Sequence, residues 1–172
     1  MNVKNNIETK EDFILMIGET KGIIYKIANA YSRSAEDQED LVQEIILQLW
    51  SSFGKYNPEY KITTWIYRIA LNVSISHYRK DMVRKKYTTP LNEDFVKFSD
   101  TGSDDKDEDI RLLRQFIQEL DEMNRALMIL YLDGNNHQEI ANVLDISVSN
   151  VGTKINRIKE KLRNKFKQIE ND

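Results

Sequence analysis

Apolar residues recur along most of this chain with the 3.6-residue period of amphipathic helices, and no segment carries the strict alternation of a half-buried strand. Phe13, Ile14, Ile17, Ile24, Ile27, Ala28 and Tyr31 predict one or two helices, with Gly18 and Gly22 loosening the middle. Ser34-Ala35-Glu36-Asp37 reads as a capping box, in which a hydroxyl and an acid three residues later satisfy the first amides of a helix. Beyond it Leu41, Val42, Ile45, Ile46, Leu49 and Trp50 line one helical face. Residues 53–61, with Gly54 and Pro58, read as a loop. The spacing then predicts a helix over Ile62–Arg79, with Ile62, Ile66, Ile69, Ala70 and Val73 as its buried stripe.

The pattern stops after Arg79. Residues 81–109 contain Pro90, Gly102 and a run of acid from Asp100 to Asp109, a composition too polar to pack and suited to a tether. Periodicity resumes with Ile110, Leu112, Leu113, Phe116, Ile117 and Leu120. Asp121 is placed to cap a helix carrying Met123, Ala126, Leu127, Ile129, Leu130 and Leu132, which Gly134 ends. Asn136 to Glu139 opens a short helix through Leu144, and Ser147 caps a last one with Val151, Ile155, Ile158 and Leu162 as its seam. The expected fold class is therefore all-α, with two small helical domains, 1–86 and 110–172, joined by an acidic linker over 87–109.

Composition narrows the picture in three ways. The chain of 172 residues has no cysteine, which excludes disulfides and thiolate metal sites. No apolar run is long enough to span a bilayer, and the N-terminus lacks the apolar centre of a signal peptide, so a cytoplasmic location is the default expectation. The net charge of −3 is unevenly spread, with acid at Glu36 to Glu44 and base at Arg79 to Lys86 and Lys154 to Lys167. Local patches, not the total, set the field that a phosphate backbone meets.

No catalytic residue is expected. His77 and His137 fall in different lobes without a second ligand at metal spacing, and both read as surface polar residues; no phosphate loop or nucleophile cluster is present. The expectation is of a protein that is not an enzyme and has neither metal nor cofactor. The second lobe instead has the form of a helix-turn-helix: a short helix to Leu144, an Asp145-Ile146 turn, then a capped helix whose small polar start suits base edges and whose row from Lys154 to Lys167 suits phosphates. Ala141 is the small residue that lets the two helices cross closely. In the first lobe Trp65, Arg68, Asn72 and Arg79 share a stripe, with Ser76 beside it. A Trp on a basic face either packs beneath the 56–61 loop or stacks on a base.

The residues Ala35-Glu36-Asp37, Asp40-Leu41-Val42-Gln43-Glu44 and Leu49-Trp50, then Trp65-Ile66-Tyr67-Arg68-Ile69-Ala70-Leu71-Asn72, resemble region 2 of the extracytoplasmic-function (group IV) sigma factors of bacterial RNA polymerase. Glu139-Ile140-Ala141-Asn142-Val143-Leu144-Asp145-Ile146-Ser147-Val148, followed by Lys154 and Arg157, resembles their region 4. The resemblance implies an alternative sigma factor that binds core polymerase and directs promoter recognition and melting. It implies docking on polymerase by Asp40, Leu41, Gln43, Glu44 and Gln48. It implies capture of the single-stranded −10 element by Tyr56, Lys61, Trp65, Arg68, Asn72, Ser76, Arg79 and Lys80, and reading of the duplex −35 element by Ser147, Ser149, Asn150, Thr153, Lys154 and Arg157. An anti-sigma factor or an accessory recruiting factor is a further partner of this class. Ser76 stands where the family often has Asp, a departure within region 2; Gly152 stands where a basic residue is usual in the recognition helix, so −35 recognition is expected to be weak. The competing readings are a helix-turn-helix regulator that never joins the polymerase, which leaves Trp65 and the acidic helix unused, and an adaptor that binds polymerase without choosing promoters.

Overall fold

The computed structural model describes residues 9–88 and 108–170, and the chain divides into two compact units, Met1–Ser99 and Asp100–Asp172. Every regular element among the described residues is helical.

The first unit is a bundle of α1 (Lys10–Tyr31), α2 (Ala35–Ser52) and α3 (Ile62–Thr88), with a 3-10 turn at Phe53–Lys55. Helix α1 opens on a reciprocal capping box between Thr9 and Asp12 and runs unbroken for 22 residues. Gly18 and Gly22 do not divide it. Both lie on its outer face with nothing near where a Cβ would stand, and burial of Ile24, Ile27 and Tyr31 on the inner face offsets a propensity loss of about 1 kcal/mol per glycine. Ile14, expected inside, is 57 % exposed, and Met16 and Thr20 fill the inner face in its place. At the start of α2 the cap is not reciprocal. The Ser34 hydroxyl accepts from the Asp37 amide at 3.1 Å, but the Asp37 carboxylate accepts from the Arg33 amide at 2.8 Å, one residue before the cap.

Helix α3 departs most from expectation. It continues through the basic run to Thr88, nine residues beyond Arg79, because that run holds no Gly or Pro and its long side chains are good helix formers. Its buried face is Ile66, Tyr67, Ala70, Leu71, Ser74 and Ile75, rotated from the anticipated stripe; Ile62, Ile69 and Val73 are only partly covered.

The second unit comprises α4 (Glu108–Glu119), α5 (Glu122–Leu132), α6 (His137–Leu144) and α7 (Val148–Glu170). Helix α5 is its axle, with every residue from Arg125 to Leu130 buried. The expected caps all form: Asp121 accepts from the Asn124 amide, Asn136 and Glu139 make a reciprocal box, and the Ser147 hydroxyl accepts from the Asn150 amide. Gly134 takes the positive φ of 82° that ends α5, while Asp145 takes φ 55° in the turn between α6 and α7, a conformation that Asp tolerates better than most residues. Of the α7 seam, Val151, Ile155 and Ile158 are fully covered and Leu162 partly. The anticipated linker therefore loses its ends to helices, Tyr87 and Thr88 to α3 and Glu108 and Asp109 to α4; the rest of it lies outside the described residues.

Candidate polymerase and nucleic-acid interfaces

Helix α2 buries Leu41, Val42, Ile45 and Leu49 and turns Asp40, Gln43, Glu44 and Gln48 outward. Leu41 is 0 % exposed, so it cannot touch a partner and is removed from the docking set; it holds the helix against the bundle. Leu47, 68 % exposed, lies on the outward face among the acidic and amide side chains. Its signal was present in the sequence, an apolar residue off the core stripe.

His77 is not the simple surface residue that its isolation suggested. From α3 its Nε2 lies 2.8 Å from Asp37 Oδ1 and its Nδ1 lies 3.3 Å from Glu44 Oε2, both on α2. Burial alone pushes the imidazole pKa down, but the hydrogen bond and charge of Asp37, then those of Glu44, outweigh it and the net shift is upward. Beside it the Arg33 guanidinium pairs with Asp81 at 2.9 Å and lies over the Tyr78 ring.

On the opposite side of α3, Arg68, Asn72, Ser76, Arg79 and Lys80 are exposed, as is Lys61 just before the helix. Trp65 and Tyr56 are half-buried. Trp65 packs against Tyr56, with ring centroids 5.3 Å apart, and against Phe53 at 6.4 Å. Trp65 thus packs on the loop and remains partly exposed. Phe53 links onward to Phe13, whose ring meets Trp50 edge-on at 4.9 Å, so the Trp65 ring sits on an aromatic bed rather than a mobile tip. Tyr56 donates to the Tyr60 carbonyl at 2.6 Å, which closes the loop over the start of α3, and burial raises its phenol pKa.

In the second unit, α6 and α7 form the helix-turn-helix, with Ala141 buried at the crossing. Ser149, Asn150, Thr153 and Arg157 are exposed on α7. Two of the anticipated DNA-facing groups are already engaged: the Ser147 hydroxyl caps the helix, and the Thr153 hydroxyl donates to the Ser149 carbonyl at 3.0 Å. Lys154 is half-buried with its Nζ 3.5 Å from Asn124 Oδ1. Burial raises the nearby Asp121 pKa, but the Asn124 hydrogen bonds and then the Lys154 charge outweigh it, so Asp121 is net lowered. The basic row divides further along. Lys159 lies 4.3 Å from the Tyr131 ring centroid, and Lys165 bonds Glu119 and sits over Phe116, so both fasten α7 to its neighbours; Arg157, Lys161 and Arg163 face outward. Gly152 is half-buried, and a Cβ there would meet the His137 ring at 3.7 Å, an ordinary contact. Arg125 was not foreseen: buried within α5, it donates to the Gln118 and Leu120 carbonyls and so closes the C-terminal end of α4.

Among the described residues no group of three or more His, Asp or Glu could hold a metal ion, and no helix is long and apolar enough to cross a membrane.

Residues 16–83 match the family model of Sigma-70 region 2, and residues 110–162 match that of Sigma-70, region 4. The chain is 26 % identical to the ECF RNA polymerase sigma factor SigW of Bacillus subtilis, over 87 % of this chain and 86 % of that one. It is 26 % identical to the ECF RNA polymerase sigma-E factor of Haemophilus influenzae, over 93 % and 90 %. Among solved structures, sigma factor RpoE of Bartonella quintana, in complex with the anti-sigma factor NepR, shares its fold with a TM-score of 0.72 at 18 % identity, covering 91 % of this chain and 98 % of that one. CnrH, in complex with the cytosolic domain of CnrY, does so with a TM-score of 0.67 at 18 % identity, covering 94 % and 91 %. Both regions match in order, they flank the acidic segment, and curated relatives align across nearly the full length: the chain belongs to the extracytoplasmic-function RNA polymerase sigma factors.

Proposed function

We propose that this sigma factor divides its work between its units, with polymerase docking and −10 capture on the first and −35 contact on the second. The chain binds core RNA polymerase and directs promoter recognition and DNA melting. The observation that carries the division is the pair of opposed surfaces on the first unit. Acidic α2 turns Asp40, Gln43, Glu44 and Gln48 to solvent, and we add Leu47 as the apolar anchor among them. On α3 the Arg68, Asn72, Ser76, Arg79 and Lys80 face borders a Trp65 held on its aromatic bed. A ring fixed in this way offers a stacking surface at little entropic cost, and stacking of one base is worth about 1–3 kcal/mol. That gain offsets the few kcal/mol needed to extrude a base from the duplex.

On the second unit we assign Ser149, Asn150 and Arg157 to the −35 duplex, with Lys154 and Thr153 at its margin and Ser147 as the cap that orients them. With Gly152 supplying no cation and Lys159 and Lys165 tied to their neighbours, this helix contacts the duplex weakly, and a recruiting factor compensates. An anti-sigma factor, the partner named for RpoE of Bartonella quintana, is the expected antagonist here too. The protein acts in the cytoplasm, where its polymerase is, and has no catalysis of its own.

The test is transcription by core polymerase, with and without this protein, on a pool of genomic fragments, with start sites sequenced. New starts sharing a −10 element support the reading. A protein that co-purifies with core polymerase yet adds no starts would be an adaptor, and one that binds fragments without core polymerase would be a regulator. Open-complex formation that collapses when the −35 sequence is scrambled would overturn the weak −35 assignment.

A further inference from the structure

The two carboxylates around His77 impose a requirement on its ring. A neutral imidazole has one N–H and one lone pair, so it can donate to only one acceptor. Here both ring nitrogens face carboxylate oxygens, Nε2 toward Asp37 and Nδ1 toward Glu44. Only the imidazolium satisfies both. The two contacts are unequal. Asp37 lies at 2.8 Å and is anchored a second time, since its other oxygen accepts from the Arg33 amide. Glu44 lies at 3.3 Å, and half of its side-chain surface is open to solvent.

We propose that His77 is a positioning residue for the polymerase-docking face: braced by Asp37, its ring fixes the Glu44 carboxylate on α2 in the orientation that polymerase meets. The inference rests on the assignment of Glu44 to that face. It also ties the two surfaces of the first unit together, because His77 projects from the same helix that carries Trp65, Asn72 and Arg79. The charged groups at this corner are Asp37, Glu44 and the exposed Asp40 between them on α2, and Arg33 of the α1–α2 turn, whose guanidinium pairs with Asp81 one turn beyond His77. Helix α1 meets it with Tyr31, packed on Tyr78. When the ring loses a proton, one carboxylate must face a lone pair. The longer, more exposed Glu44 contact is the one released, since Asp37 retains the Arg33 amide. The raised imidazole pKa places that loss above the ordinary histidine range.

The experiment measures binding of the full chain to core RNA polymerase of the source bacterium for wild type, His77→Ala, Glu44→Gln and the double variant. His77→Gln serves as a second variant, and circular dichroism and thermal melting establish that each is folded. His77→Ala and Glu44→Gln are each expected to weaken binding about three- to tenfold, and the double variant no further than Glu44→Gln, because both remove one interaction. Wild-type affinity should fall as pH rises through the raised imidazole pKa, while that of His77→Gln stays flat over the same range. Additive losses, or a His77 variant that binds like wild type when Glu44→Gln does not, overturn the inference and leave the docking face standing. If Glu44→Gln itself binds like wild type, the docking assignment of Glu44 falls, and the inference with it.

Discussion

Helices α3 and α7 are the longest described helices of their units, at 27 and 23 residues, and both carry a row of Lys and Arg. They use it differently. On α3 the cations at Arg68, Arg79 and Lys80 are exposed along one face, opposite the buried Ile66–Ile75 stripe, and that face ends on aromatic rings. On α7 the row winds around the helix, and part of it turns inward, Lys159 to Tyr131 and Lys165 to Glu119 and Phe116. A count of basic residues therefore overstates what α7 offers to phosphate. What a nucleic acid meets is the subset left facing outward after the fold has taken its share.

The largest effect that separates the two units is a core deletion in one of them. Ile155, 1 % exposed, packs α7 into the second unit, and Ile155→Ala should remove about 3 kcal/mol, within the usual range for a buried aliphatic truncation. Hydrogen exchange should then quicken in α5 to α7 and remain unchanged in α1 to α3. Equal loss of protection in both would mean that the units do not fold separately.

The division of the α7 cations is open to a salt titration on a duplex of random sequence. Arg157→Ala should lower the slope of log affinity against log salt by about one unit, as expected for a lost phosphate contact. Lys159→Met should leave the slope alone and lower the melting temperature of the second unit instead. A slope that drops equally for both variants would erase the contrast between α3 and α7.

Much of this was legible in advance, and the failures have physical causes. Helix starts were readable because capping is local: Asp121 with Asn124, Asn136 with Glu139 and Ser147 with Asn150 each lie within four residues. The buried face of α3 was misread because its first half is apolar nearly all round, from Ile62 through Trp65, Ile66, Tyr67, Ile69, Ala70 and Leu71, and a periodic signal cannot choose among adjacent faces there. His77 and Lys159 were misread for another reason. Their partners are 40 and 28 residues away, and no local pattern encodes such pairs. Arg125 carries no local signal of burial, since Arg is seldom buried; its role depends on where the α4 carbonyls end.

Gly152 gives a smaller effect with the opposite sign. It lies inside α7, its would-be Cβ meets only the His137 ring at an ordinary 3.7 Å, and its φ is not in the glycine region. Gly152→Ala should therefore raise the stability of the second unit by about 0.5–1 kcal/mol in chemical denaturation. Gly152→Lys should also strengthen duplex binding and steepen its salt dependence by about one unit. Stabilisation by Ala without tighter binding by Lys would mean that this position does not face DNA, and the proposal of weak −35 contact would lose Gly152 as a cause.

The smallest effect is the pH dependence of the first unit. The folded-state pKa of His77 is raised above its unfolded value. A raised group contributes stability that is fully present below the unfolded pKa and is lost as pH rises through the folded pKa. The first unit should therefore lose stability as pH climbs from about 6 through the raised value, by about 1 kcal/mol or less, since the pair is partly solvated. Among the described hydrogen bonds and ion pairs the second unit has no histidine–carboxylate pair, so it serves as the internal reference for this measurement. Hydrogen exchange in α2 and α3, followed across this pH range after correction for the intrinsic exchange rate, reads the difference directly. Lower protection at low pH than at high pH would reverse the sign and remove the imidazolium from the α2–α3 contact. The same measurement on His77→Gln should give a flat profile, which separates the ring's proton from every other group that titrates nearby.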